Sequence, residues 1–176
     1  PGGKRCFAAY SGDLAPSLLV YEAKIDVLGP DGFRSILLQD LYNNDGMKHL
    51  TLDPLELVAK VRLPFSLAGH QSRYEKARIR GSIDFPLAGA AVRLQLEKQK
   101  KVGSLSVALT GVNPNPQLIS NLDYFVGKKL GVSELDKLRD IVRKQAKPMR
   151  TTTVAPWYRR RVVGAIARRL VKELVE

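Results

Sequence analysis

The chain has 176 residues, 44% of them apolar, a single cysteine and a formal charge of +12. That length supports one ordinary domain or two small ones. No run of about 18 apolar residues exists to span a membrane, no charged-then-apolar leader opens the chain, and the lone Cys6 excludes an internal disulfide and a Cys-rich metal site made by this chain alone.

Residues 1–12 are Gly-rich and polar and read as a loop. Asp13 opens a short helix over residues 13–21, where a carboxylate at the N-cap accepts backbone N–H bonds and Pro16 is tolerated in the first turn. Residues 23–28 alternate apolar and polar as a half-buried strand does, Gly29-Pro30-Asp31-Gly32 is a turn, and residues 33–38 return as a second strand. Residues 39–43 read as a helical turn stopped by Asn44-Asp45-Gly46, and residues 57–63 as a strand ending at Pro64. A linker over residues 65–72 marks the expected domain boundary. Beyond it, residues 74–79, 87–96 and 105–110 read as three strands, with a hairpin connection over 97–103. Three helices complete the chain: one over 120–130, one capped by Ser133 with Asp136 three residues on, and one from Pro156 at N1 to Val175. Strands followed by helices point to an α+β class and not to a doubly wound sheet.

In the last helix Val163, Ile166, Ala167, Leu170 and Leu174 form one apolar stripe, with Arg160, Arg161, Arg168, Arg169 and Lys172 mostly off it. This is the pattern of a terminal helix packed on a sheet. Twelve Lys/Arg and one acid, Asp140, lie between Lys137 and Lys172, against seventeen and sixteen elsewhere. The excess charge therefore belongs to the last two helices. It suits a solvated basic face or an acidic protein partner. The stretch lacks the interleaved aromatics of a base-stacking platform, which argues against nucleic acid.

The catalytic inventory is nearly empty. His49 and His70 lie in no catalytic or metal-binding spacing, and there is no nucleophile elbow, phosphate loop or His-Glu-x-x-His. Composition and spacing alone support a basic α+β protein.

Four segments, in order, carry a resemblance. Ser11-Gly12-Asp13-Leu14-Ala15-Pro16 resembles a Ser-x-Asp-Leu-x-Pro segment followed by a strand, here Ala23-Lys24-Ile25-Asp26-Val27. Residues 50–64 resemble an element that leads into a strand ending in Pro. Tyr74-Glu75-Lys76-Ala77-Arg78 resembles a (Tyr/Phe)-x-Lys-x-x-x-Arg start, with Arg80 serving as its Arg, followed by a small-residue strand over 84–92. Trp157-Tyr158-Arg159-Arg160 resembles the Tyr-Arg that opens a last helix. On these segments the chain resembles the C-terminal part of the FAD-binding (medium) subunits of the xanthine dehydrogenase, or molybdenum hydroxylase, family.

The resemblance implies a fold: the C-terminal part of a PCMH-like FAD-binding domain over residues 1–66, without its N-terminal flavin-loop subdomain. A CO dehydrogenase flavoprotein C-terminal-like domain follows over residues 73–176, a three-stranded antiparallel sheet with helices. It implies cofactor-binding roles for Asp13, Val58 and Lys76. Asp13 would accept hydrogen bonds from nucleotide hydroxyls, Val58 would line the flavin pocket, and the Lys76 ammonium would favour negative charge on the cofactor. The family's Gly-rich pyrophosphate loop lies upstream; Pro1-Gly2-Gly3 is not that loop. The isolated chain is therefore expected to bind FAD weakly and to be inactive. Arg5-Cys6, standing just before Ser-x-Asp-Leu-Ala-Pro, most resembles the 4-hydroxybenzoyl-CoA reductase beta-subunit branch, in which Cys6 would be one thiolate of a 4Fe-4S cluster needing three more. Implied partners are a large subunit with a molybdenum-pterin cofactor and a small subunit with 2Fe-2S clusters, in the cytoplasm, with no membrane. The chain would relay electrons between those clusters and an external donor or acceptor. The rival reading is a non-enzymatic binding module whose basic C-terminal helices dock an acidic protein or nucleic acid. The opening Pro1-Gly2-Gly3, without Met, reads as that of a fragment or processed product.

Overall fold

A strand of small residues lies at the centre of the structure, a computed structural model that describes residues 6–81, 83–150 and 154–176. This strand, β5 (Ala88–Leu96), pairs antiparallel with β4 (Gln71–Ala77) on one side and β6 (Val102–Thr110) on the other. A two-residue strand, β7 (Gln117–Leu118), extends the sheet beyond β6. The expected antiparallel arrangement of three strands is present, with β7 as a short fourth.

Both faces of β5 are covered, which explains its Ala-Gly-Ala-Ala-Val composition. Successive side chains point to opposite faces. Ala88, Ala90, Val92 and Leu94 are buried against α2 (Val132–Gln145) and α3 (Pro156–Val175), in a core that also holds Val107, Leu109, Phe125, Leu138, Val142, Val163 and Leu170. On the opposite face Ala91 and Ala108 join Leu19 and Val20 of α1 (Leu14–Val20) and the buried Ile25, Val27, Leu38 and Leu41. Each large apolar side chain so covered stabilises the fold by roughly 1.5–3 kcal/mol relative to exposure.

The second sheet has the order β2-β1-β3, from β1 (Lys24–Gly29), β2 (Gly32–Leu37) and β3 (Leu57–Arg62), all antiparallel. Ile25 and Val27 turn one face of β1 toward α1. Asp26 points to the other face and is nevertheless buried, because the exposed Arg62 of β3 folds over it as an ion pair. The half-buried alternation expected for this strand is thus modified by one salt bridge.

Several local expectations change. Residues 120–130 form no α-helix; only Asp123–Phe125 make a 3-10 turn. Asn121 at φ 64° and Gly127 at φ 77° adopt left-handed backbone on either side of it, which ends any continuous right-handed helix. Ser133 lies inside α2, which begins after Gly131; the Glu134 carboxylate accepts the Gly131 N–H at 3.1 Å. Asp136 caps nothing and instead accepts from Arg139 and Arg168. β4 and β6 both begin three residues earlier than expected, because cross-strand pairing with β5 extends into residues of weak strand propensity such as Ser72 and Ser104. The last helix agrees: Pro156 is in its first turn, and Val163, Ile166, Ala167 and Leu170 are buried, with Leu174 packed beside them. Among the described residues no helix is long and apolar enough to cross a membrane.

Candidate functional site

The strand register builds the site. Lys76 and Tyr74 stand two residues apart on β4 and share the face that looks toward α1. Their partners on β5 are Gly89 and Ala91, and Gly89 is paired in turn with Thr110 of β6. One row across the sheet is therefore Lys76, Gly89, Thr110. The centre of the row has no side chain, so the segment leading into α1 lies down on it.

That segment is fixed by backbone bonds. Tyr10 N–H donates to the Asn113 carbonyl at 2.8 Å, and the Gly111 N–H donates to the Tyr10 carbonyl at 2.7 Å. The buried Thr110 hydroxyl donates to the Gly12 carbonyl at 2.7 Å. Asp13 follows directly. Its carboxylate accepts the Tyr74 hydroxyl at 2.7 Å and the Lys76 ammonium at 2.5 Å. Lys76 also donates to the Asp84 carbonyl at 3.0 Å. The expected N-cap role of Asp13 is overturned: its side chain caps no helical N–H, and its backbone is already helical at φ −91°, ψ −33°. Two tertiary donors, one of them charged, displace the local cap bonds.

The electrostatics follow from these contacts. Burial pushes the Asp13 carboxyl up, but the hydrogen bonds from Lys76 and Tyr74 and the charges of Lys76 and Arg78 outweigh it and hold it below its ordinary value. Burial, reinforced by the Asp13 carboxylate, pushes the Tyr74 phenol far up, so it stays a donor. The Asp13 side chain remains 46% exposed and that of Lys76 20%. Asp13 keeps free lone pairs, and Lys76 has committed two of its three N–H donors.

Arg159 holds the strand ends from below. It is buried and has no carboxylate partner among the described residues; it donates to the carbonyls of Leu87 (2.9 Å), Met149 (3.4 Å) and Gly111. Its first contact precedes β5 and its last follows β6, so the first turn of α3 locks both ends of the Gly89–Thr110 row. A second buried arginine, Arg93, straps the far end of α1. It donates to the Val20 carbonyl and to Glu22, and lies 2.9 Å from His70 Nδ1. A guanidinium only donates, so this His70 nitrogen is the acceptor.

Of the residues singled out by sequence, the structure joins Asp13 and Lys76. Val58 lies on the edge strand β3, opposite Val27, in the other sheet. Cys6 sits in the loop before the site: its N–H donates to Asp45, its carbonyl accepts the Gly46 N–H at 2.8 Å, and its thiol accepts the Ala8 N–H at 3.5 Å. Pro1-Gly2-Gly3 and Arg5 lie outside the described residues. Among the described residues no group of three or more His, Cys, Asp or Glu could hold a metal ion. Sequence reasoning missed Tyr74 and Thr110. For Tyr74 the signal was present, since i and i+2 on a strand share a face. For Thr110 there was none, since its role depends on the cross-strand register.

A cleft of about 250 Å³ reaches Gly12, the residue before Asp13, and is lined by residues 8–12, Gly46, His49 and Pro114. It is smaller than a typical site for a drug-sized ligand, about 300–1,000 Å³, and suits one moiety of a larger molecule.

The chain is similar to known proteins over most of its length. Residues 72–174 match the family model of the CO dehydrogenase flavoprotein C-terminal domain. The chain is 28% identical over 172 residues to the carbon monoxide dehydrogenase medium chain of Afipia carboxidovorans, covering 97% of this chain and 58% of that one. It is 26% identical over 174 residues to the glyceraldehyde dehydrogenase medium chain of Sulfolobus acidocaldarius, covering 98% and 60%. The crystal structure of a Cu,Mo-CO dehydrogenase in its cyanide-inactivated form superposes with a TM-score of 0.84 at 27% identity, over 93% of this chain and 56% of that chain. The chain thus spans about three fifths of the curated relatives it matches. On the match over most of its length, the chain belongs to the CO dehydrogenase flavoprotein C-terminal domain family.

Proposed function

We propose that this chain forms part of an FAD-binding medium subunit of a molybdenum hydroxylase-type oxidoreductase, and that it serves electron transfer. The observation that carries the reading is the meeting of Asp13 and Lys76, which lie 63 residues apart in sequence, one residue beyond an open cleft that Gly12 lines. FAD, when bound, supplies exchange of one or two electrons between a metal centre and an external partner. Asp13 then accepts hydrogen bonds from cofactor hydroxyls, Lys76 keeps that carboxylate ionised and aimed, and Tyr74 fixes its orientation. Val58 contributes an apolar wall from β3. The complete enzyme pairs this subunit with a molybdenum-pterin large subunit, where substrate reacts, and a 2Fe-2S small subunit. This reading includes a boundary between two domains at residues 65–72 and a cytoplasmic setting. Its finer form, the 4-hydroxybenzoyl-CoA reductase branch with Cys6 as a 4Fe-4S ligand, rests on the place of Cys6 before Ser11-Gly12-Asp13 alone.

The test is cofactor content. In the complete protein Asp13→Ala should lower FAD per chain, read by visible absorption after gel filtration, by about tenfold under dilute conditions, the loss of roughly one charge-assisted bond of 1.4 kcal/mol. Full FAD content in an Asp13→Ala/Lys76→Met double variant would remove the pair from the cofactor site.

A further inference from the structure

A basic groove lies at the junction of α2 and α3. It is a cavity of about 750 Å³ lined by Asp140, Arg143, Lys144, Ala146, Lys147 and Arg160. Four of the six are cationic. The one acid is already committed, because Asp140 accepts from Arg139 at 3.0 Å and from Arg143 at 3.5 Å. Lys144 and Lys147 make no side-chain hydrogen bond or ion pair among the described residues and are exposed.

The floor of this groove is fixed, while the Lys144 and Lys147 side chains extend from it into solvent. The Gln145 carbonyl accepts from Asn113 at 3.3 Å, the Ala146 carbonyl accepts from Arg160 Nε at 3.1 Å, and the Lys147 N–H donates to Asn113 Oδ1 at 2.8 Å. Three consecutive residues are thus pinned where α2 ends. The helices also approach closely: a Cβ on Gly164 would stand 2.6 Å from Arg143 Cγ and 3.1 Å from the Arg139 carbonyl. Gly164 sets the spacing that leaves the groove open beyond the contact.

We infer that this groove docks an acidic segment of a partner protein, one carrying several Asp or Glu in extended conformation. The chemistry selects this occupant. Among the described residues no aromatic lines the groove, so it offers charge without a stacking surface for bases. Trp157, exposed one residue into α3, is not part of the groove lining, and the Arg161 guanidinium carbon stands 5.9 Å from its ring centroid. Nor is it a cradle for a compact phosphate: the local backbone N–H of Lys147 is spent on Asn113, and the helix end presents carbonyls. Four long cationic side chains, from α2, the segment just after it and α3, suit several carboxylates spread along a chain. The inference is independent of FAD, since no residue of the groove belongs to the Asp13 site.

The experiment uses the complete protein and a fluorescein-labelled octaglutamate peptide, read by anisotropy at about 50 mM salt. Binding should weaken severalfold at about 300 mM, where charges are screened within a few ångströms. Lys144→Glu/Lys147→Glu/Arg160→Glu should weaken it at least about tenfold. A matched reversal on the β5–β6 hairpin, Lys98→Glu/Lys100→Glu/Lys101→Glu, should change it less than about twofold. Because Arg160 caps Ala146, the Lys144→Glu/Lys147→Glu pair, which leaves the floor intact, decides the matter if the triple variant melts early. Equal weakening by groove and hairpin variants would overturn the inference. So would absence of binding at low salt, or displacement of the peptide by an equal charge of oligothymidylate at lower concentration.

Discussion

Lys76 and Thr110 flank Gly89 on the same face of the sheet, and between them they hold two consecutive residues: Thr110 binds the Gly12 carbonyl and Lys76 the Asp13 carboxylate. The site is therefore a property of strand register. A shift of one residue in β5 would put Ala88 or Ala90 in the row and turn the small gap to the wrong face.

This gives the first prediction. A Cβ at position 89 would lie 2.9 Å from Thr110 Cγ2, 3.2 Å from the Glu75 carbonyl oxygen and 3.2 Å from Lys76 Cβ. Two of those neighbours are part of the strand framework and cannot swing away. Gly89→Ala should cost about 1–3 kcal/mol, lowering Tm by roughly 3–10 °C. A melt within about a degree of wild type would show that the row relaxes freely.

Arg159 supports the same row from the other side. Arg159→Met keeps much of its stem and leaves the Leu87, Gly111 and Met149 carbonyls without their donor. The expected loss is about 2–4 kcal/mol by urea unfolding. Arg159→Lys should fall between, since one ammonium cannot reproduce the planar fork across three acceptors. Equal stability of the Met and Lys variants would assign the role of Arg159 to packing alone.

Much of this was legible in the sequence and some was not. The apolar stripe of α3, the run of small residues in β5 and the Gly29–Gly32 turn each carry a local signature that the fold respects. Asp13 misled because an N-cap and an ion pair use the same side chain, and the choice depends on β4, some 60 residues away. Residues 120–130 misled because apolar spacing says nothing of left-handed backbone at Asn121 and Gly127. Arg93 and Arg159 gave no sign of burial, since the acceptors of Arg159 are main-chain carbonyls and those of Arg93 include the Val20 carbonyl and Glu22, 73 and 71 residues away, where no sequence pattern marks them.

The Arg34–Glu56 pair makes stability depend on pH. Arg34 clasps the Glu56 carboxylate at 2.7 and 2.8 Å, and the Asp53 N–H adds a third bond at 2.9 Å. The Arg34 bonds, then the Asp53 bond, hold the Glu56 carboxyl down at about 2, below its ordinary 4.5. A carboxyl depressed in the folded state stabilises fully above its unfolded value and loses that contribution as pH falls through the folded value. Unfolding free energy should therefore fall from about pH 4.5 toward pH 2, and Glu56→Gln should flatten the curve in that window. Parallel curves for the two proteins between pH 5 and 2 would show that the clasp adds nothing.

The last prediction concerns Lys76 and Asp13 as a pair in the complete, FAD-loaded protein. A lone ammonium beside a cofactor that gains electrons would raise its midpoint potential. Lys76 is not lone, because Asp13 stands 2.5 Å away with the opposite charge. The two fields largely cancel at any distance well beyond their separation. Removing one charge uncovers the other. Lys76→Met should lower the flavin midpoint and Asp13→Asn should raise it. With solvent screening, each uncovered charge is worth about 1 kcal/mol, or roughly 20 mV for a two-electron couple. The double variant Asp13→Asn/Lys76→Met restores neutrality and should return to within about 10 mV of wild type, even with lower FAD content. Redox titration of the four proteins measures the cycle. Shifts of the same sign in both single variants would mean that structure, and not charge, moves the potential. No shift in either would place the pair away from the flavin.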